Sequence, residues 1–222
     1  MTPEELRALV AYRLDPLETW NPTVAPVRSD FDLNPGFRPA AQRRLNDAAV
    51  LVPVLEGPGG LNVILTRRAD AMTEHAGQVA LPGGRLEPGE GPVEAALREA
   101  HEEIGLAPGF VEPLGLSTRY ETISGYVITP VVGFVRPGFT LHPSPEEVAE
   151  VFETPFAFLM DPANHRREYY DFEGGRRWFY VMPWEERRIW GATAGILRAL
   201  HDRLFGDGGE ASRMSSAEGR GG

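Results

Sequence analysis

The 222-residue chain contains no cysteine, so neither disulfide bonds nor thiolate chemistry can hold it together or run its reaction. It also lacks any charge-free run long enough to span a bilayer, and its first residues lack a basic segment followed by an apolar core. The expectation is a cytoplasmic protein with no membrane partner. Positive charge is in deficit, with 22 basic against 32 acidic side chains and a formal net charge of −10. Such a balance disfavours broad attraction to nucleic acid, so none is expected as a partner. A small anionic ligand stays open, because a bound metal reverses the field inside one cleft. The length suits one sizeable core with extensions, and a homodimer is among the assemblies it allows.

The pattern of elements mixes strands with helices. Thr2-Pro3-Glu4-Glu5 has the chemistry of a capped helix start, and Leu6, Leu9 and Val10 give that helix an apolar side. Residues 15–46 follow with little periodicity, so 1–27 read as a helical extension. Residues 49–56 and 61–66 flank GPGG as a hairpin with a loose turn, and 111–120 and 125–135 supply two further strands. A second hairpin is expected from 166–172 and 177–182 around Glu173-Gly174-Gly175. A C-terminal helix is expected from Ile189 to Leu204, with Trp190, Ile196 and Leu200 assigned to packing. The tail at 207–222 is glycine, serine and charge without apolar pattern, and reads as disordered.

The most informative stretch is LPGGRLEPGEGPVEAALREAHEEIGL, residues 81–106. Val93, Ala96, Leu97, Ala100 and Ile104 recur at helical spacing, and Gly105 is a natural stop. Glu99, Glu102 and Glu103 occupy a neighbouring sector of about 100°. Glutamate is a good helix former, so a solvated face is one reading. The other is a divalent cation, since like charges at this spacing repel and magnesium favours carboxylate oxygens alongside phosphate oxygens. Arg98 can reach Glu102 and Glu94, and Glu90 can pair with Arg98 around the bend. Ahead of the helix, Gly83 and Gly84 permit close backbone approach or positive φ, and successive amides there can cradle an anion.

Gly84, Glu90 and Arg98-Glu99-Ala100-His101-Glu102-Glu103-Ile104-Gly105-Leu106 together resemble the complete Nudix box. The resemblance implies an α/β/α sandwich with a mixed sheet between helices, over residues 28–206. It implies hydrolysis of nucleoside diphosphates linked to another moiety, with Glu99, Glu102 and Glu103 as ligands to Mg²⁺ or Mn²⁺. Glu90 and Arg98 then brace the loop and helix. The preceding ILTRRADAMTEHAGQVALPGG, residues 64–84, resembles the motif of the coenzyme A pyrophosphatases in that family. Ile64, Thr73 and Leu81 depart from it, and Thr73 matters most because it stands where an arginine is usual.

Several residues beyond the box carry two readings each. Arg67 and Arg68 leave a strand just before the glycines and can clamp phosphate, or can pair with surface carboxylates. His75 can donate to a ligand or lock the loop. Tyr120 can stack on adenine or pack in the core. The family's habit of recruiting one more glutamate makes Glu147, and then Glu150, candidates for general base, against a reading as helix-surface charges. The expected ligand is a small nucleotide derivative, with coenzyme A leading.

Overall fold

The computed structural model describes residues 1–39, 44–70 and 75–206. The expected disordered tail and Thr73 lie outside the described residues. Helix α1 (Pro3–Arg13) is followed by strands β1 (Arg28–Ser29), β2 (Asn46–Gly57), β3 (Gly60–Arg68), β4 (Val79–Ala80) and β5 (Gly83–Arg85), then helix α2 (Pro92–Ile104). Strands β6 (Val111–Leu116), β7 (Tyr120–Glu121), β8 (Tyr126–Val135) and β9 (Val148–Pro155) come next, with the short helix α3 (Phe156–Leu159). Strands β10 (Arg166–Phe172), β11 (Gly175–Trp184) and β12 (Arg187–Trp190) lead into helix α4 (Ala192–Phe205).

Strands β1 to β9 make one sheet in the order β1-β7-β8-β2-β3-β4, with β5 on β2, β6 on β8 and β9 on β3. Strand β2 runs parallel to β8 and antiparallel to β3, so the sheet is mixed. Alternation along β2 covers both faces. Ala49, Leu51 and Leu55 enter the core beneath α2, where Ala96, Ala100 and Ile104 meet them. Val52 and Val54 enter the opposite core, with Leu6 and Val10 of α1 and Leu197, Leu200 and Leu204 of α4. The result is the expected α/β/α arrangement. Each fully buried leucine contributes about 1.5–3 kcal/mol of apolar burial.

The capping logic at the N-terminus is realised. The Glu5 amide donates to Thr2 Oγ1 at 3.2 Å, and the Thr2 amide donates to Glu5 Oε2 at 2.8 Å. The first hairpin turns tightly rather than loosely, with Gly57 opposite Gly60. Strands β10, β11 and β12 form a separate three-stranded antiparallel sheet. Asn34 docks this sheet by using its amide as a strand edge: Nδ2 donates to the Trp178 carbonyl and Oδ1 accepts from the Trp178 amide, both at 2.7 Å. Two expectations change here. Ile189 and Trp190 belong to β12, and the last helix starts only at Ala192, after Gly191 turns the chain with φ 65°. The acidic segment before Val148 is a turn leading into β9, not a helix.

Candidate active site

Helix α2 presents the acidic cluster. Its N-terminus is capped by its own Glu94, whose Oε2 accepts from the Gly91 amide at 2.7 Å, so Glu94 is not the partner expected for Arg98. Its C-terminus stops at Gly105 in the left-handed region, φ 70°, where an added Cβ would meet the His142 backbone at 2.8 Å. Between these ends Arg98 gathers the charges. Its Nε and Nη2 donate to the two oxygens of Glu90 at 2.9 and 3.0 Å, and Nη2 also reaches the Arg85 carbonyl at 3.0 Å. Its Nη1 donates to Glu99 at 2.9 Å and to Glu102 at 3.1 Å. These bonds, above all that to Glu90, hold the guanidinium pKa well above its ordinary value.

The two glycines form strand β5 rather than an open turn, pairing with Ala49 and Val50 of β2. Side chains are excluded there. A Cβ at Gly83 would lie 2.3 Å from the Ala49 carbonyl oxygen, and one at Gly84 would lie 2.3 Å from Glu99 Oε1. The Gly83 amide is already committed, donating to Glu103 Oε2 at 3.2 Å. So this strand backs the carboxylates directly, and Gly84 leaves the space into which Glu99 projects.

Burial and charge set the electrostatics. Glu103 is only 5% exposed. Desolvation first, then the negative charges of Glu99 and Glu147, push its pKa up to about 7 against the pull of the Gly83 amide and Arg68. Glu99 is raised in the same sense, by burial first and then by Glu102 and Glu147, with Arg98 opposing. Glu102 is the outer member, its side chain 56% exposed. Among the described residues no three acidic or histidine side chains already form a closed metal cage. The reason is visible in Arg98, which draws Glu99 and Glu102 to its own nitrogens. The donor set nevertheless fits a hard divalent ion: oxygen-only, crowded and partly desolvated, with the Gly84 recess holding one carboxylate.

Arg68 lies 3.9 Å from Glu103 Oε1, and its buried Nε has no hydrogen-bond partner among the described residues. It lines a cavity of about 590 Å³ together with Gly83, Gly84 and His75. Arg67 does not join it. A bulge separates the two arginines in the β3–β9 pairing, and Arg67 turns to a different cleft, bonding Asp70 at 2.9 Å. A clamp made by both arginines is therefore ruled out by strand alternation. Glu150 also faces that second cleft, where Arg187 donates to it at 2.5 Å. The carboxylate of Glu147 is exposed and close enough to raise both Glu99 and Glu103, so of the two candidates for general base only Glu147 lies by the cluster.

His75 is exposed in a positive-φ position, 58°, with Nδ1 3.0 Å from Gln78 Oε1, so it engages its own loop while bordering the cavity. Tyr120 is 5% exposed, its hydroxyl donating to Asp30 Oδ1 at 3.1 Å and its ring edge packed against Gly195, and it also borders the cavity. Burial first, then the Asp30 charge, raises the phenol pKa.

A NUDIX domain model matches residues 45–172. The chain is 38% identical over 179 residues to the protein named "Uncharacterized Nudix hydrolase NudL" of Pectobacterium atrosepticum, covering 78% of this chain and 90% of that one. It belongs to the NUDIX family of hydrolases. A second NudL, from Enterobacter sp., is 37% identical over 195 residues, covering 83% and 96% of the two chains. Among solved structures, the Nudix hydrolase RenU of M. smegmatis is similar at 27% identity and a TM-score of 0.44, over 52% of this chain and 74% of that one. Within the NUDIX match, the box occupies β5 and α2. The cavity is also lined by Tyr170 together with Phe179 and Trp190, the latter two beyond the matched span. Taken singly, neither Tyr170 nor Phe179 carries a local signal of a binding role, and the packing expected of Trp190 extends to the cavity. The expected hairpin at 166–182 held the signal, but its register decides which rings share a face.

Among the described residues, no helix is long and apolar enough to cross a membrane.

Proposed function

We propose that this NUDIX hydrolase cleaves the pyrophosphate linkage of coenzyme A or its derivatives, giving 3′,5′-ADP and 4′-phosphopantetheine or its acyl form. The observation that carries the reading is the convergence of Glu99 and Glu103 on the Gly83–Gly84 backbone, with Arg68 facing both the carboxylates and the cavity. The motif at residues 64–84 supports coenzyme A in particular.

Glu99, Glu102 and Glu103 would hold Mg²⁺ or Mn²⁺. Such an ion, when bound, neutralises phosphate charge and lowers the pKa of an attacking water. The protein's own part is positional. Glu147 takes the proton from water, being the exposed carboxylate beside the cluster. Arg68, which lines the cavity, offers its guanidinium to a phosphate oxygen, a charge-assisted bond that orients the pyrophosphate without taking part in bond cleavage. Arg98 and Glu90 hold helix and loop in register, so that the carboxylates stay aimed at one point. A cytoplasmic location fits a substrate of this kind.

Thr73 favours a second reading, in which the substrate is another nucleoside diphosphate derivative such as ADP-ribose. A non-catalytic nucleotide-binding regulator would not need the complete glutamate set. Incubating the protein with coenzyme A, dephospho-coenzyme A, ADP-ribose and dinucleoside polyphosphates, with Mg²⁺, Mn²⁺ or chelator, separates these readings. The expected result is metal-dependent release of 3′,5′-ADP from coenzyme A at the highest kcat/KM in the panel. Preference for ADP-ribose would replace the substrate assignment, and no turnover of any member would remove the catalytic one.

A further inference from the structure

The cavity beside Arg68 has a wall for which the box chemistry gives no use. Its volume, about 590 Å³, is within the range of small-molecule sites. The pairing of β10 with β11 sets Tyr170 opposite Arg177 and Glu168 opposite Phe179, and that of β11 with β12 sets Val181 opposite Trp190. Directly paired residues and residues two apart share a face. Tyr170, Arg177, Phe179 and Trp190 therefore lie on one face of this small sheet, and all four line the cavity, joined there by Trp178 and Tyr180 from the neighbouring positions of β11. The rings are contiguous, with centres 5.8 Å apart for Tyr170 and Phe179 and 5.5 Å for Phe179 and Trp190.

The wall is also fixed in place. Arg177 donates from Nη1 to the Tyr170 hydroxyl at 3.2 Å and lies 3.7 Å from Asp30. Asp30 in turn accepts from the Ile123 amide at 2.9 Å, which ties the small sheet to the large one. The same cavity is also lined by Arg68, Gly83 and Gly84. One space thus joins a chain of contiguous rings, their planes inclined 41° and 61° to one another, to a phosphate-facing edge. A flexible aliphatic chain is served equally well by leucine or methionine; a planar heterocycle gains specifically from ring faces.

We propose that the Tyr170–Phe179–Trp190 face is the nucleobase subsite of this enzyme, stacking the base while the pyrophosphate lies against Arg68 and the glycine strand. The proposal rests on the reading that the substrate is a nucleoside diphosphate derivative. It adds that the base is recognised largely by residues beyond the matched NUDIX span.

The test is calorimetric binding of AMP to the full chain in chelator, with ribose 5-phosphate as the base-free control and thermal melting to confirm folding. Trp190→Leu should weaken AMP by at least about ten-fold, on the scale of base–aromatic stacking, while Trp190→Phe stays within about three-fold of the parent. Tyr170→Leu, at a side chain 42% exposed and so safe for folding, should weaken AMP by about five-fold. Ribose 5-phosphate should bind all variants alike. Unchanged AMP affinity in both leucine variants would overturn the proposal, as would an equal loss of ribose 5-phosphate. If the substrate panel returns ADP-ribose instead of coenzyme A, ring-dependent AMP binding still supports this subsite. The two readings thus fail separately.

Discussion

The two sides of the cleft are built by different means. On the α2 side the bonds that matter are short in sequence: Arg98 reaches Glu102, Glu90 and Arg85 at separations of 4, 8 and 13, and Gly83 reaches Glu103 at 20. On the aromatic side the docking bonds are long, with Asn34 joined to Trp178 across 144 residues and Thr193 to Val79 across 114. The first side is charged, crowded and held by one guanidinium. The second is aromatic, carries Arg177 among its rings, and is held by register between strands. Chemistry that must place charge to within a fraction of an ångström is thus built from local spacing, while selection of what enters is left to a sheet whose rings can change without disturbing the carboxylates. Substitutions on the first side should act on turnover, and those on the second on affinity.

The sharpest way to separate the two sides is Glu103→Gln. It keeps shape and removes one buried charge, so kcat should fall by at least about 100-fold while the melting temperature stays at or above that of the parent. Parental turnover in the folded variant, assayed with added metal, would break the division of labour. Next in size is Arg98→Lys. Lysine cannot make the two-pronged bond to Glu90 and still reach Glu99 and Glu102. The change should cost roughly 2–3 kcal/mol in urea denaturation, from lost charge-assisted bonds, and should lower kcat more than it changes KM. A variant equal to the parent in both would show that Arg98 merely decorates the helix surface.

The smallest effect expected is remote from the cleft. Among the described residues buried His165 has no partner at Nδ1, while Nε2–H donates to the Leu159 carbonyl at 2.7 Å. Burial lowers its pKa, with the nearby Arg198 and His201 acting in the same direction. A depressed folded-state pKa means that the unfolded chain binds the proton more readily. Its share of stability is therefore complete above the ordinary histidine pKa of about 6.5 and is lost as pH falls below it. Melting between pH 7.5 and 5.5 should decline more steeply in the parent than in His165→Gln. Parallel curves would contradict the assignment.

The α2 side was the legible one. Helical spacing predicted its apolar stripe, Gly105 its end, and the Glu90–Arg98 pair its brace, because each depends on residues within a few turns of one another. What the sequence hid were facts of pairing. Gly83 and Gly84 read as a turn, yet they form a strand whose missing side chains admit the Ala49 carbonyl and Glu99. Arg67 and Arg68 read as a pair, until alternation and a bulge sent them to different clefts. Glu150 is separated from the cluster in the same way by Arg187. Tyr120 borders the cavity with its hydroxyl bonded to Asp30, a partner 90 residues away that no local pattern announces.

The central claim is that Glu99 and Glu103 share a divalent cation with Glu102 at the edge of the glycine strand. Titrating Mn²⁺ into the protein, and following the loss of its free-ion electron paramagnetic signal, tests this without reference to any substrate. The parent should bind Mn²⁺, and Glu99→Gln/Glu103→Gln should weaken that binding by at least about ten-fold, the scale of losing charged oxygen ligands, with melting preserved. Equal Mn²⁺ affinity in the parent and the folded double variant would contradict the account.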